Sequence, residues 1–300
     1  VAALTRTEDR AAMLRRRGVE AHVADVFDRG SVVAACRAAG PDVVVDQLTA
    51  LPKALDIRRY REALAPTNRL RLEATPNLIA GGLAAGARRI LVQSISFITA
   101  PQGPWVHDED APVFTSAPAA FRDVVEAAVQ MERMTLAETA LDPVVLRYGF
   151  LYGPGTYYAR DGATAQAVAA RAFPIVGRGT GTSSFLHVDD AVDATVLALS
   201  GGASGLYNVC DDDPAPMRDW LPHLATLLDA RPPRRVPALL ARLAAGPHAV
   251  HFATSLRGNA NSRFKETFAW QPAHRSWRDG LRSALATPPA EGSPASVHIT

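Results

Sequence analysis

Apolar and polar residues alternate along this chain in repeated strand-and-helix units. Residues 1–4 form a short apolar run, residues 8–17 carry apolar positions at helical spacing and close at Gly18, and residues 19–24 alternate before Asp25. The next unit repeats that order. Asp28 or Ser31 can cap a helix to Ala39, Gly40-Pro41 breaks it, and DVVVD at 42–46 is a β-branched run of the kind buried on both faces. A long helix over 68–85 ending at Gly86, a strand over 89–94, a helix near 119–140 and a strand over 144–147 follow. Such alternation predicts right-handed crossovers and an α/β fold, a doubly wound parallel sheet of Rossmann-like type. Beyond Gly155 the rhythm changes, with a glycine-rich link (VGRGTGT) and a stretch from 214 to 290 richer in Pro, Arg and Trp. Residues 1–155, joined by 186–210, are therefore expected to form the nucleotide-fold domain. Residues 156–185 and 211–286 are expected to form a smaller C-terminal substrate lobe, and the Pro/Ser/Ala-rich stretch 287–300 a disordered tail.

Composition narrows the function. Three hundred residues, 48% hydrophobic and 21% charged, suffice for one large core or two modest ones. A net charge of +2 with dispersed Arg argues against nucleic acid, and the RRR run at 15–17 suits a helix C-terminus, where cations meet the negative dipole end. Two distant cysteines, Cys36 and Cys210, and the lack of a secretory or membrane-length apolar run predict a reduced, cytoplasmic protein without membrane contact. Lysine is scarce: Lys53 and Lys265 are the whole supply.

Two segments carry a family likeness. VVLRYGFLYGPGT (144–156) joins an apolar run ending in Arg to a Tyr-Gly-Pro-Gly turn, and SSFLHVDDAVDATVLAL (183–199) enters a helix through His187-Val188-Asp189-Asp190. They resemble the extended short-chain dehydrogenase/reductases, the NAD-dependent epimerase/dehydratase family. VVVDQLTALP, YNVCDDDPAP and WQPAHRSWRDG extend the likeness over most of residues 1–280. The resemblance implies an NAD(P)-dependent oxidoreductase or epimerase acting on a hydroxyl or carbonyl of a small substrate, sugar derivatives included. It places the cofactor near Arg6, Asp25, Val26, Leu48, Thr49, Ala50, Asn68, Tyr148 and Gly149, and the substrate near Tyr157, Tyr158 and Arg178. Arg6 ends a strand where a carboxylate would hold a ribose, so NADP is favoured over NAD. Family members often pair through helices corresponding to 68–85 and 119–140, which makes a homodimer plausible.

Two expected features are missing. No G-x-G-x-x-G follows a strand and opens a helix, and Gly177-x-Gly179-x-Gly181 leads into Ser183–His187, which suits an interlobe turn. A start about 25 residues too late, the size of one strand, glycine turn and helix, is favoured over loss of the site; poor dinucleotide binding by the chain as written would follow. Tyr-x-x-x-Lys, the family's proton-moving pair, is absent as well: the spacing is kept by Phe121 and Val125, and none of the six tyrosines precedes a lysine by four. Ser94, Ser96 and Tyr152 are the candidate catalytic groups that remain, with Tyr148, Tyr157, Tyr158 and His187 as further proton carriers to consider. His248-x-x-His251 has metal spacing but lacks companions, which predicts surface histidines and no metal. A non-catalytic NAD(P)-binding sensor or scaffold is the alternative.

Overall fold

The structure is a computed structural model, and it describes residues 1–286. The expected tail, 287–300, lies outside the described residues. The first half runs β1 (Ala2–Thr5), α1 (Glu8–Arg16), β2 (Glu20–Val23), α2 (Arg29–Ala39), β3 (Val43–Asp46), α3 (Tyr60–Arg69), a π-helical turn (Leu70–Ala74), α4 (Thr75–Ala85) and β4 (Arg89–Ile95). It continues through β5 (Val106–His107), α5 (Ala119–Leu136), β6 (Asp142–Tyr148) and β7 (Phe150–Tyr152). The second half holds α6 (Ala163–Ala169), β8 (Ile175–Val176), β9 (Thr182–Ser183), β10 (Phe185–His187), α7 (Val188–Ser200) and β11 (Gly205–Val209). Then come β12 (Ala215–Pro216), α8 (Met217–Leu227), β13 (Arg235–Val236), α9 (Ala238–Thr254), β14 (Gly258–Asn259), α10 (Ser262–Phe268) and α11 (Trp277–Ala286).

The long strands are parallel, as the alternation requires. Four of them form one sheet in the order β11-β6-β4-β3, with Ser94 opposite Arg147 and Asp46 opposite Val92. β1 and β2 pair only with each other, so the parallel strands are divided two and four. The outer edges of β1 and β3 have no partner strand among the described residues. Val45, in the middle of β3, is 39% exposed. The run DVVVD therefore forms the predicted strand without the two-sided burial that its composition suits.

Local chemistry explains the element ends. Asp28 caps α2 by accepting from the Gly30 amide at 2.8 Å, and Gly40 ends it in the left-handed region. His187 caps α7, its Nδ1 accepting from the Asp189 amide at 3.2 Å, while Asp189 and Asp190 sit in the positive first turn. The helix expected over 68–85 begins earlier, at Tyr60, and runs through the π turn. Pro66, inside α3, removes one backbone donor from the ladder just before that turn.

Two cores flank the long sheet. Val32, Leu70, Leu78, Ile90 and Met131 pack on one side, and Leu146, Leu186, Ala194, Tyr207 and Phe264 on the other. A third core joins Tyr152 of β7, Phe185 of β10, Trp220 and Leu221 of α8 and Trp277 and Leu281 of α11, and a fourth gathers around Phe121 of α5. No helix among the described residues is long and apolar enough to cross a membrane.

Candidate functional site

In open parallel folds the reactive ground lies beyond the carboxyl ends of the strands, here Asp46, Ile95 and Tyr148. Four groups of side chains meet around those ends.

The first is aromatic and surrounds Phe121 and Val125 of α5, the pair that keeps the Tyr-x-x-x-Lys spacing. Phe121 and Val125, on one face of α5, are both buried. Phe121 packs against Phe252 at 4.9 Å between ring centroids, against His251 at 5.8 Å and against Tyr60 at 6.3 Å. Phe97, just past β4, stacks on Phe150 at 4.5 Å and reaches Phe252 at 6.1 Å. Phe97, Phe150 and Phe252 are the half-buried members of this box. Its two histidines are buried, against the surface position that their spacing suggested. His248 donates from Nε2 to the Ile57 carbonyl at 2.8 Å, and burial drives the His251 pKa down to about 4, with the Arg257 charge adding to the shift. No cluster of metal-binding side chains occurs among the described residues.

The second group is a buried ion-pair network in which Arg147 Nη1 has no hydrogen-bond partner among the described residues. Glu132 of α5 takes two hydrogen bonds from Arg147, at 2.8 Å and 2.6 Å, and a third from Ser94 Oγ at 2.6 Å. All three residues are buried. Ser94 is thereby occupied between sheet and helix, while Ser96, next along, is buried and bonds Tyr148 through its backbone amide.

A third group surrounds the π turn. Asp46, at the tip of β3, accepts from Thr75 Oγ1 at 2.7 Å and from the Leu48 amide at 3.1 Å; burial nonetheless holds its carboxyl above the usual range. Arg71 is 8% exposed, and among the described residues its side chain makes one hydrogen bond, a long one of 3.4 Å to Asn68 Oδ1. Burial lowers the Arg71 pKa, opposed by the nearby Tyr60, Glu132 and Asp46. Tyr60 is buried and its hydroxyl is pushed far above the usual tyrosine range, mainly by burial. Sequence reasoning singled out Asn68 and missed Arg71. The available signal was its place on the stripe Leu64, Thr67, Arg71, Ala74, Leu78, all of them buried.

The fourth group lies where β7, β10 and α11 meet. Tyr152 is fully buried, its hydroxyl has no hydrogen-bond partner among the described residues, and its ring meets the edge of His187 at 5.1 Å. Any side chain at Gly280 would collide with that hydroxyl. His187 stacks on His274 at 3.8 Å, and Asp190 accepts from the backbone amides of Ala273 and His274. Beside them Asp211 is 1% exposed and one of its carboxyl oxygens is unpartnered, so burial raises its pKa to about 8. Tyr152 is thus wedged between His187 and Gly280, with its ionisation pushed far out of reach by burial and by the neighbouring Asp211.

The remaining predicted residues are dispersed along the strand ends. Arg6 is exposed past β1 and forms no ion pair among the described residues; Asp25 is exposed and accepts from the Phe27 amide at 3.0 Å; Val26 is buried and its carbonyl accepts from Asn77 at 2.9 Å. Leu48, Thr49 and Ala50 follow β3 half-buried, the Ala50 amide donating to Thr67 at 3.0 Å. The Tyr148 hydroxyl lies 3.1 Å from Gln47 Nε2 and 2.6 Å from Thr195 Oγ1. Gly149 is required by packing, since a Cβ there would stand 2.6 Å from the Ser184 carbonyl oxygen. Tyr157 is half-buried and donates to the Pro52 carbonyl at 2.5 Å, which ties the turn after β7 to the segment after β3. Tyr158 meets Phe185 and Trp220 edge-on, and Arg178 is exposed.

Known proteins supply the context for this arrangement. Residues 1–210 match the model of the NAD dependent epimerase/dehydratase family. A 3-diazoavenalumate denitrifying reductase from a Streptomyces species is 51% identical over 260 residues, which cover 86% of this chain and 84% of that protein. In architecture the chain is similar to a UDP-glucose 4-epimerase from Thermotoga maritima solved with UDP-glucose (TM-score 0.71, 17% identity, 95% of this chain and 89% of that one). It is similar also to a dTDP-glucose 4,6-dehydratase from Streptomyces venezuelae solved with NAD (TM-score 0.71, 18% identity, 95% and 85% covered). At such identities the likeness is one of fold. With the family model matched over more than half its length, the chain belongs to the NAD-dependent epimerase/dehydratase family.

Proposed function

We propose that the chain is a nicotinamide-dependent reductase that removes the nitrogen of a diazo compound carried on a flat, conjugated body. The supporting observation is the place of the dyad: Phe121 and Val125 are sealed into an aromatic box, beside a relative that reduces a diazo compound at 51% identity.

The two fit each other chemically. A tyrosine–lysine pair exists to move a proton on a substrate oxygen. A nicotinamide bound here would supply hydride, which at the carbon of an aryl diazonium group would form a C–H bond as the C–N bond breaks, the C–N electron pair leaving with dinitrogen and the substrate gaining two electrons. Departure of dinitrogen asks no side chain for a proton. The half-buried rings of Phe97, Phe150 and Phe252 then serve to hold a planar substrate and keep water away, and Tyr157 covers the segment after β3.

The chain's fit to a dinucleotide is uneven. Arg6, without an ion pair among the described residues, suits a 2′-phosphate, which favours NADP; Asp25 and Val26 suit the adenine end, and the strand ends at Ser96 and Gly149 the nicotinamide end. Among the described residues no glycine turn opens a helix to cradle the pyrophosphate.

Incubation with NADPH or NADH and an aryl diazonium carboxylate tests the reading. Loss of reduced cofactor matched mole for mole by dinitrogen in the headspace is expected. Cofactor binding without dinitrogen release would favour a sensor or scaffold, and turnover of simple carbonyl compounds alone would sink the diazo reading.

A further inference from the structure

We propose that Arg71 and Tyr60 form an anion site at the edge of the aromatic box, which holds the carboxylate of an aromatic or conjugated substrate. The inference rests on the box being the substrate's place.

A buried cation without a counter-charge is costly, and folds rarely keep one without a use. Arg71 is such a cation. Both carboxylates in its surroundings are committed elsewhere: Glu132 to Arg147 and Ser94, and Asp46 to Thr75 and the Leu48 amide. Among the described residues Arg71 forms no ion pair, and its one hydrogen bond is the 3.4 Å contact to Asn68. Guanidinium offers five donors, so most of its hydrogen-bonding capacity is unspent in a residue only 8% exposed. Its backbone lies in the π turn Leu70–Ala74, a departure from regular helix that recurs at functional sites.

Tyr60 ties this charge to the box. Its ring packs against Phe121, against Phe252 at 6.1 Å and against His248 at 5.1 Å, while its hydroxyl, in the field of Arg71, makes no hydrogen bond among the described residues. One ligand satisfies both halves: a ring for the aromatic side chains and an oxyanion at its end for the guanidinium and the phenol. Carboxylate matches the guanidinium fork in geometry, with two parallel charge-assisted hydrogen bonds. A phosphate of the cofactor is the other oxyanion to consider, but phosphates bring no flat apolar body to the rings beside Tyr60.

Binding decides the matter without any turnover. Quenching of tryptophan fluorescence would be titrated with para-hydroxycinnamate and with its methyl ester, which share the ring and differ in the anion. Wild-type protein is expected to favour the acid by about tenfold or more. Arg71→Gln should lose that preference while binding the ester as before, Arg71→Lys should keep part of it, and Tyr60→Phe should fall between. Equal affinity for acid and ester in the wild type would overturn the proposal, and so would an undiminished preference in Arg71→Gln. Competition by inorganic pyrophosphate against the acid, lost in Arg71→Gln, would assign the site to the cofactor and overturn it too. Thermal melts check that each variant is folded; should Arg71→Gln fail, Arg71→Met and the wild-type acid-to-ester ratio still decide. Dinitrogen release without acid preference would refute this site alone, and acid preference without dinitrogen release would refute the diazo reading alone.

Discussion

Arg147 and Arg71 are two buried arginines in the same neighbourhood as Glu132, and they differ in what surrounds them. Arg147 spends Nε and Nη2 on both oxygens of one carboxylate, which Ser94 also meets; Arg71 has a single long bond to an amide oxygen. A guanidinium paired through two nitrogens with one carboxylate ties the fold together, here β4, β6 and α5, even though Arg147 Nη1 has no hydrogen-bond partner among the described residues. A buried guanidinium with no carboxylate of its own marks a group kept for something else. The difference also shows why Ser94, at a strand end where reactive groups gather, is a structural hydroxyl: its partner is already bound twice by arginine.

Stability measurements can break that contrast. Glu132→Gln strands Arg147 with a neutral partner and is expected to cost about 3–5 kcal/mol, read from the urea midpoint. Arg71→Met removes a charge that the fold does not pay back, so it should stay within about 1 kcal/mol of wild type or exceed it. Equal losses from the two would erase the distinction. A smaller loss, roughly 2–4 kcal/mol, is expected when the dyad is rebuilt as Phe121→Tyr with Val125→Lys, because the box gives the new hydroxyl and ammonium no partners. A stable double variant that reduced carbonyl compounds would show a site still fit for proton transfer.

Aspartate and histidine answer the same shortage of partners differently, because they can discharge themselves. Asp211 has one unpartnered oxygen and a pKa of about 8, raised first by burial. Its folded pKa exceeds the unfolded value, so the folded state keeps a proton that the unfolded chain releases between about pH 4 and pH 8. Stability from this group is therefore full below that window and falls as pH rises through it. Asp211→Asn should flatten the slope and stabilise the protein at pH 8 by about 1–3 kcal/mol, read from melts at a series of pH values. A wild-type slope kept in the variant would place the titration elsewhere.

What the sequence made legible was governed by neighbours close along the chain. β-branched runs became β3 and β6, the YGPG turn left the sheet, and His187-Val188-Asp189-Asp190 capped α7. The hidden parts depend on contacts between distant segments. An arginine in LRLEA reads as a solvated helix residue until α5 and β3 close around it, and the gap between β1 and β3 is a matter of pairing that no single strand announces. Helix α9 inverts the usual guide altogether: Leu239, Leu240 and Leu243 are exposed, while His248 and His251, past the break at Gly246, are buried. Periodicity assigns the inner face by hydrophobicity, and here the rings of Tyr60, Phe114 and Phe121 select the histidines as aromatic neighbours.

His251 offers the mildest version of the comparison. Its Nε2 is buried without a partner, its ring sits 4.7 Å from Phe114 and 5.8 Å from Phe121, and burial brings its pKa to about 4. A base with a depressed folded pKa stays neutral in the fold while the unfolded chain takes up a proton below about pH 6.5, so stability is full above that value and falls as pH drops towards 4. His251→Phe keeps the aromatic packing and removes the titration. It should change stability at pH 7 by no more than about 1 kcal/mol and remove part of the acid-side slope between pH 6.5 and 4. A slope unaltered in the variant would mean that His251 is already charged in the fold, and that a partner for Nε2 completes its shell after all.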